Sequence, residues 1–200
     1  MRVVASRGGA HPPRLVAGIL ERGSWVDDPE LQELWGGLLA SSCTPDGIDD
    51  SNVVFQDLLS GFTAMQARIL KHSCEGAKKF ATDTGFIVAE TFEVEVRVLR
   101  EVTGVEDIQR LDRELDRLVA AGLLTNYSGF QSARRPDVEA VVAGLTPTSL
   151  GLHLYVRCQG SVASPVQYFG ITDVRSGLAL GSRFGLPAVV WQPVQPIPEA

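Results

Sequence analysis

Apolar residues recur along this chain at spacings of three and four, interrupted by glycine, proline and short polar runs. Leu31, Leu34, Trp35, Leu38 and Leu39 stand at i, i+3, i+4, i+7 and i+8. That spacing predicts one buried helical stripe. Asp28 and Pro29 before it suit an N-cap and a first helical position. Gly36 and Gly37 fall inside the stripe, where each costs about 1 kcal/mol relative to alanine. Another backbone therefore packs closely there, or the helix bends. Upstream, Pro12 and Pro13 give an extended entry to a short apolar segment, Leu15, Val16, Ile19 and Leu20, ending at Gly23. The residues before it are rich in Gly, Arg and Pro and read as loose.

After the turn signal Thr44-Pro45-Asp46-Gly47, Ser51 is placed to cap a second helix with Val54, Phe55, Leu58 and Leu59, closed by Gly61. Thr63 and Gln66 form the T-x-x-Q pattern of a capping box. They open a third helix through Met65, Ile69 and Leu70, weakened by Gly76 and the polar residues toward Lys79. Phe86 to Phe92 fits a short strand or a linker. Val94, Val98, Leu99 and Val102 fit a fourth helix, and the alternation of Val94, Val96 and Val98 also fits a strand. The helix reading is preferred, because Thr103-Gly104 then makes a turn into the next one.

Leu111 to Leu152 reads as one unit. A leucine-striped helix begins near Glu106-Asp107, acids suited to a helix N-terminus, runs to Ala121 and stops at Gly122. A loop with Arg134 and Arg135 follows. The chain returns through Val138 to Leu145 into a last helix, from Thr146-Pro147 to about Gln159. Helix, "GLL", basic loop, strand and "LTPTSLG" in that order is how a winged helix-turn-helix commonly reads. The fold class expected is mainly α. A helical N-terminal part spans 15–60 and a winged-helix-like part spans 62–160. A Pro/Gly-rich tail over 161–200, irregular or short-stranded, either packs on the body or is disordered.

Composition narrows the function classes. The apolar fraction of 44% is ordinary for a globular protein, so a sizeable core is expected. A net charge of −6 argues against a surface devoted wholly to nucleic acid, although a local basic face is compatible with it. The three cysteines, Cys43, Cys74 and Cys158, are widely spaced and form no CxxC, which suits a reducing compartment. No apolar run has the ~18 residues of a membrane span, and the start lacks a signal-peptide core. A soluble, cytoplasmic protein without membrane contact is expected.

Candidate chemistry is sparse. At roughly 100° per residue, Leu111, Leu115 and Leu118 share one helical face. Arg110, Arg113 and Arg117 gather on one flank, and Asp112 and Asp116 on the other. With Arg134 and Arg135, the arginines form a candidate surface for phosphates or an acidic partner. The plain alternative is a solvated face, and charge balance favours it. Over residues 106–118 five acids oppose three arginines, and Glu114 is spaced to neutralise Arg110 and Arg117.

His72 and Cys74 lie on different helical faces, and His153 and Cys158 align poorly for one metal. No nucleophile elbow, P-loop, dinucleotide fingerprint or HExxH occurs, so no cofactor is expected. The acidic pairs Asp27-Asp28 and Asp49-Asp50 lie in loops and are candidates for a divalent ion, but capping of the next helix accounts for Asp28 without one. Trp35 is expected in the core; for Trp25 and Trp191 burial beneath the tail is preferred to exposure, which would mark a partner surface.

Four stretches carry a family resemblance. They are DDPELQELWGGLLASS (Asp27 to Ser42), FTAMQARILKH (Phe62 to His72), LDRLVAAGLL (Leu115 to Leu124) and LTPTSLGLHLYVRC (Leu145 to Cys158). Their order resembles the bacterial Abi-alpha family, named for abortive phage infection. The likeness implies a mostly helical fold and a link to phage defence, and it carries over no catalytic residue. The expectation is a non-enzymatic module that contacts a protein partner. The alternative is a winged-helix DNA-binding regulator using Arg110, Arg113, Arg117, Arg134 and Arg135.

Overall fold

The computed structural model describes residues 12–44, 48–132 and 141–176. Three helices come first: α1 (Pro13–Gly23), α2 (Pro29–Ser42) and α3 (Val53–Ser60). Asp28 caps α2, accepting the amides of Glu30 and Leu31 at 3.0 and 3.1 Å. Leu31, Trp35 and Leu38 of the predicted stripe are buried. The two glycines separate in role. A Cβ on Gly37 would overlap the Cys158 carbonyl, whereas one on Gly36 would meet nothing within 4 Å. The close backbone approach therefore occurs at Gly37 alone.

Ser51 does not cap α3. The N-cap is Asn52, which makes no side-chain cap bond. Its amide is committed elsewhere, donating to Ser41 Oγ and Ser42 Oγ at 3.1 and 2.9 Å. Ser51 instead gives its backbone N–H to Asp49.

Helix α4 (Ala64–Gly76) opens on the predicted capping box of Thr63 and Gln66. Strands β1 (Lys79–Thr82), β2 (Ile87–Ala89) and β3 (Phe92–Glu95) follow. The preferred helix over Val94 to Val102 holds from Val96 onward and fails at its first two residues. Val94 pairs with Ala143 in a sheet, and α5 (Val96–Thr103) then begins directly. Alternation and helical spacing overlap here because the chain changes period within two residues. Gly104, at φ 71°, ends α5.

Helix α6 (Ile108–Ala120) is capped by Asp107 and buries Leu111, Leu115 and Leu118. Strands β4 (Gly129–Ser132) and β5 (Val141–Leu145) pair antiparallel. With β3 they form a three-stranded sheet of order β3-β5-β4. Helix α7 (Ser149–Cys158) begins later than Thr146-Pro147. Thr146 gives its N–H to Ser128, and Pro147 bridges Leu124, so both still belong to the strand side. Thr148 is the cap, accepting the Gly151 amide.

The "GLL" and "TSLG" stretches interlock. Gly122 turns at φ 72°. Thr148 donates from its hydroxyl to Gly122 O at 2.6 Å and from its amide to Leu123 O at 2.9 Å. A side chain on Gly151 would overlap that Leu123 carbonyl. Leu123, Leu124, Leu145 and Leu152 are fully buried around the junction.

Part of the tail is built onto the body. Helix α8 (Pro165–Tyr168) carries its own capping box, Ser164 and Gln167. Strand β6 (Val174–Arg175) pairs parallel with β1, completing a second sheet of order β2-β1-β6. Phe169 stacks on Tyr155, and Arg175 lies over Phe80 while pairing with Glu90 at 2.6 Å. The architecture is thus mainly α with two small sheets. One continuous core runs from Leu15 and Ile19 through Leu99 and Leu111 to Leu152 and Val156. Trp35 lies in it, but Trp25 is 83% exposed, contrary to expectation. The described part of the tail packs instead on Tyr155 of α7 and pairs with β1. Trp191 lies outside the described residues.

Candidate interaction surface on α6

The wheel that buries Leu111, Leu115 and Leu118 fixes what α6 shows to solvent. Arg110, Arg113 and Arg117 are exposed on one flank, and Asp116 is exposed on the other beside half-buried Asp112. Arg134 and Arg135 lie outside the described residues, in the connection between β4 and β5.

Glu114 does not neutralise Arg110 and Arg117 as its spacing suggests. It is buried, with 5% of its surface accessible. One carboxylate oxygen accepts from Gln66 Nε2 at 2.6 Å and from Thr63 Oγ1 at 3.4 Å. The other accepts from Arg113 Nη2 at 3.0 Å. The same Gln66 closes the capping box of α4, so Glu114 ties the start of α4 to the middle of α6. This leaves Arg110 and Arg117 without an ion pair or side-chain hydrogen bond among the described residues.

Beside Arg117 lies an open groove of about 270 Å³ between α3 and α6. Val54, Asp57 and Leu58 of α3 line it, with Gly61 and Phe62 of the α3–α4 connection, Gln66 of α4, Arg117 and Leu118 of α6, and Ala121 at its C-cap. Val54 is 47% exposed, and Phe62 is half-buried. Asp57 at the rim is held by Arg22 at 2.7 Å. Sequence reasoning groups Val54 with Phe55, Leu58 and Leu59 and misses the groove. The helical spacing is the same whether such a stripe is covered or left open.

Other polar and thiol groups sit in packing roles. Tyr155 donates to Glu75 Oε1 at 2.9 Å, and burial pushes its phenol upward. Lys79 donates to Ala77 O at 2.6 Å and lies 4.4 Å over the Phe169 ring, and burial lowers its ammonium. Cys74 and Cys158 are buried, which raises each thiol to about 12. Neither forms a thiolate near neutrality. Burial also lowers half-buried His153, and His72 packs against Phe92. A smaller, more polar cleft of about 220 Å³ lies between α2, α4 and α7, with Glu33, Lys71 and Gln159 on its walls. Among the described residues, no three His, Cys, Asp or Glu side chains converge as a metal site, and no helix is long and apolar enough to cross a membrane.

A family model described as abortive infection alpha matches residues 4–153, three quarters of the chain. The match runs from before α1 into α7 and so includes both walls of the α3–α6 groove. No curated protein and no solved structure matches.

Proposed function

The chain belongs to the abortive infection alpha family, and on that premise we propose that it is a non-catalytic protein-interaction module of bacterial phage defence. In this reading α6 is presented by a winged helix. Apart from the β1–β2 hairpin inserted after α4, the run α4, β3, α5, α6, β4, β5 supports that, because it follows the helix, strand, helix, helix, strand, strand order of that motif. The sheet order β3-β5-β4 agrees with it. In that motif α6 takes the place of the recognition helix.

The observation that carries the interaction reading is the groove beside Arg117. An apolar hollow flanked by an uncompensated guanidinium suits a protein side chain better than a sugar–phosphate backbone. The second reading, a DNA-binding regulator, is favoured by the place of α6 in the motif and by Arg110, Arg113 and Arg117 on one flank. Against it stand the Arg113–Glu114 pair, Asp112 and Asp116 on the same helix, and the net charge of −6.

A phage-plaque assay tests the proposal. Cells expressing the wild-type chain should restrict a sensitive phage, and the folded double variant Val54→Glu, Ala121→Arg should lose that restriction. Undiminished restriction by the variant contradicts the groove as the working surface. Hydrolysis of nucleotides or cleavage of nucleic acid by the purified chain contradicts a non-catalytic role.

A further inference from the structure

Resting on the interaction reading, we infer that the α3–α6 groove receives one face of an amphipathic helix of a partner protein. An apolar side chain enters the hollow, and a carboxylate one turn away meets Arg117.

Size and lining set the first half of this. Val54, Leu58, Phe62, Leu118 and Ala121 wall a space of about 270 Å³, with Val54 47% exposed at the mouth. A hollow of this size has room for a side chain of leucine or phenylalanine dimensions. Helix-in-groove recognition places such anchors at i, i+3 or i+4.

Charge sets the second half. The groove has two charged rim groups, Asp57 and Arg117. Asp57 is already engaged by Arg22 at 2.7 Å. Arg117 has no carboxylate among the described residues, and its Nη2 reaches to 3.9 Å from the position a Cβ on Gly61 would occupy. The guanidinium therefore stands at the groove edge, where an incoming carboxylate can reach it while the neighbouring anchor is buried. On a helix, residues four apart lie ~6 Å from one another, which matches an anchor in the hollow and a carboxylate at its rim. A duplex would gain nothing from the apolar walls, and its phosphates would also meet Asp112 and Asp116.

The test uses the full chain and two helical peptides of neutral, alanine-rich sequence. Each carries one leucine, with glutamate or glutamine four residues away. Titration followed by ¹H–¹⁵N NMR should map binding to Val54, Phe62 and Ala121. The glutamate peptide should bind about two- to fivefold more tightly, the range of an exposed ion pair. Arg117→Glu should reverse the preference toward a matching lysine peptide, and Arg117→Gln should abolish it. Equal affinity for the glutamate and glutamine peptides, shifts confined to other surfaces, or displacement of the peptide by duplex DNA would overturn the inference. Equal affinity combined with lost phage restriction in the Val54→Glu, Ala121→Arg variant would overturn it and leave the interaction reading standing.

Discussion

Glu114 on α6 accepts a 2.6 Å hydrogen bond from Gln66 on α4, and both side chains are buried. Gln66 also accepts the Thr63 backbone amide at 3.2 Å. One amide group thus finishes the N-terminus of α4 and holds the carboxylate that orients α6. Arg113, 70% exposed, reaches in to the other oxygen. The exposed flank of α6 is set by this buried junction as well as by the leucines beneath it.

Glu114→Ala should therefore destabilise the chain by about 2–3 kcal/mol, since it strands a buried donor and removes bonds to a charged acceptor. Glu114→Gln keeps an acceptor for Gln66 and loses mainly the solvent-screened contact with Arg113, so its cost should be less than half as large. Urea denaturation of the two variants checks the order. Equal effects would show that charge, not hydrogen bonding, holds the junction.

The adjacent glycines of α2 should respond with opposite signs. Gly36 is exposed with open space around it, so Gly36→Ala should add up to about 1 kcal/mol of helix stability. At Gly37 a methyl group would overlap the Cys158 carbonyl. Separating α2 from α7 should cost about 1–3 kcal/mol, more than the helical gain. Thermal melts of both variants read the two signs directly. A stabilising Gly37→Ala would mean that the helices are not in close backbone contact.

The legible parts of the fold were those written locally. Asp28-Pro29, Thr63 with Gln66, and Gly122 act within one turn of the chain, and each cap stands where its spacing predicts. The split at Val94 to Val102 was not legible. The choice of strand for Val94 rests on Ala143, a partner far along the chain. The burial of Glu114 and the openness of Val54 are likewise decided by distant elements. Spacing alone made Glu114 a partner of Arg110 and Arg117, and made Val54 one more member of an apolar stripe. Of the candidate arginines, three are placed on one flank of α6, and Arg134 and Arg135 lie outside the described residues.

The cysteines should divide into one reactive and two protected thiols. Cys43 is exposed, and Cys74 and Cys158 are buried. Ellman's reagent should label Cys43 rapidly in the native protein and the other two only as it unfolds. The buried thiols also give a pH dependence. Folding raises each from the ordinary 9.0 to about 12. Between those values the unfolded chain binds fewer protons than the folded one. Stability is then intact below about pH 9 and falls as pH rises toward 12, by up to about 1.4 kcal/mol per unit for each thiol. Denaturation midpoints measured on either side of about pH 9 should show the fall, and Cys74→Ala should reduce its slope. A midpoint independent of alkaline pH would contradict the burial of these groups.

The central claim is that the arginine flank of α6 and the groove beside it serve a protein partner and not a duplex. Fluorescence anisotropy of a labelled mixed-sequence DNA duplex, titrated with the full chain at low and at physiological ionic strength, tests it most directly. The account predicts a flat baseline at both. Binding at low salt that weakens steeply with added salt, and that Arg113→Ala and Arg117→Ala diminish, would contradict it and make α6 a DNA-reading helix.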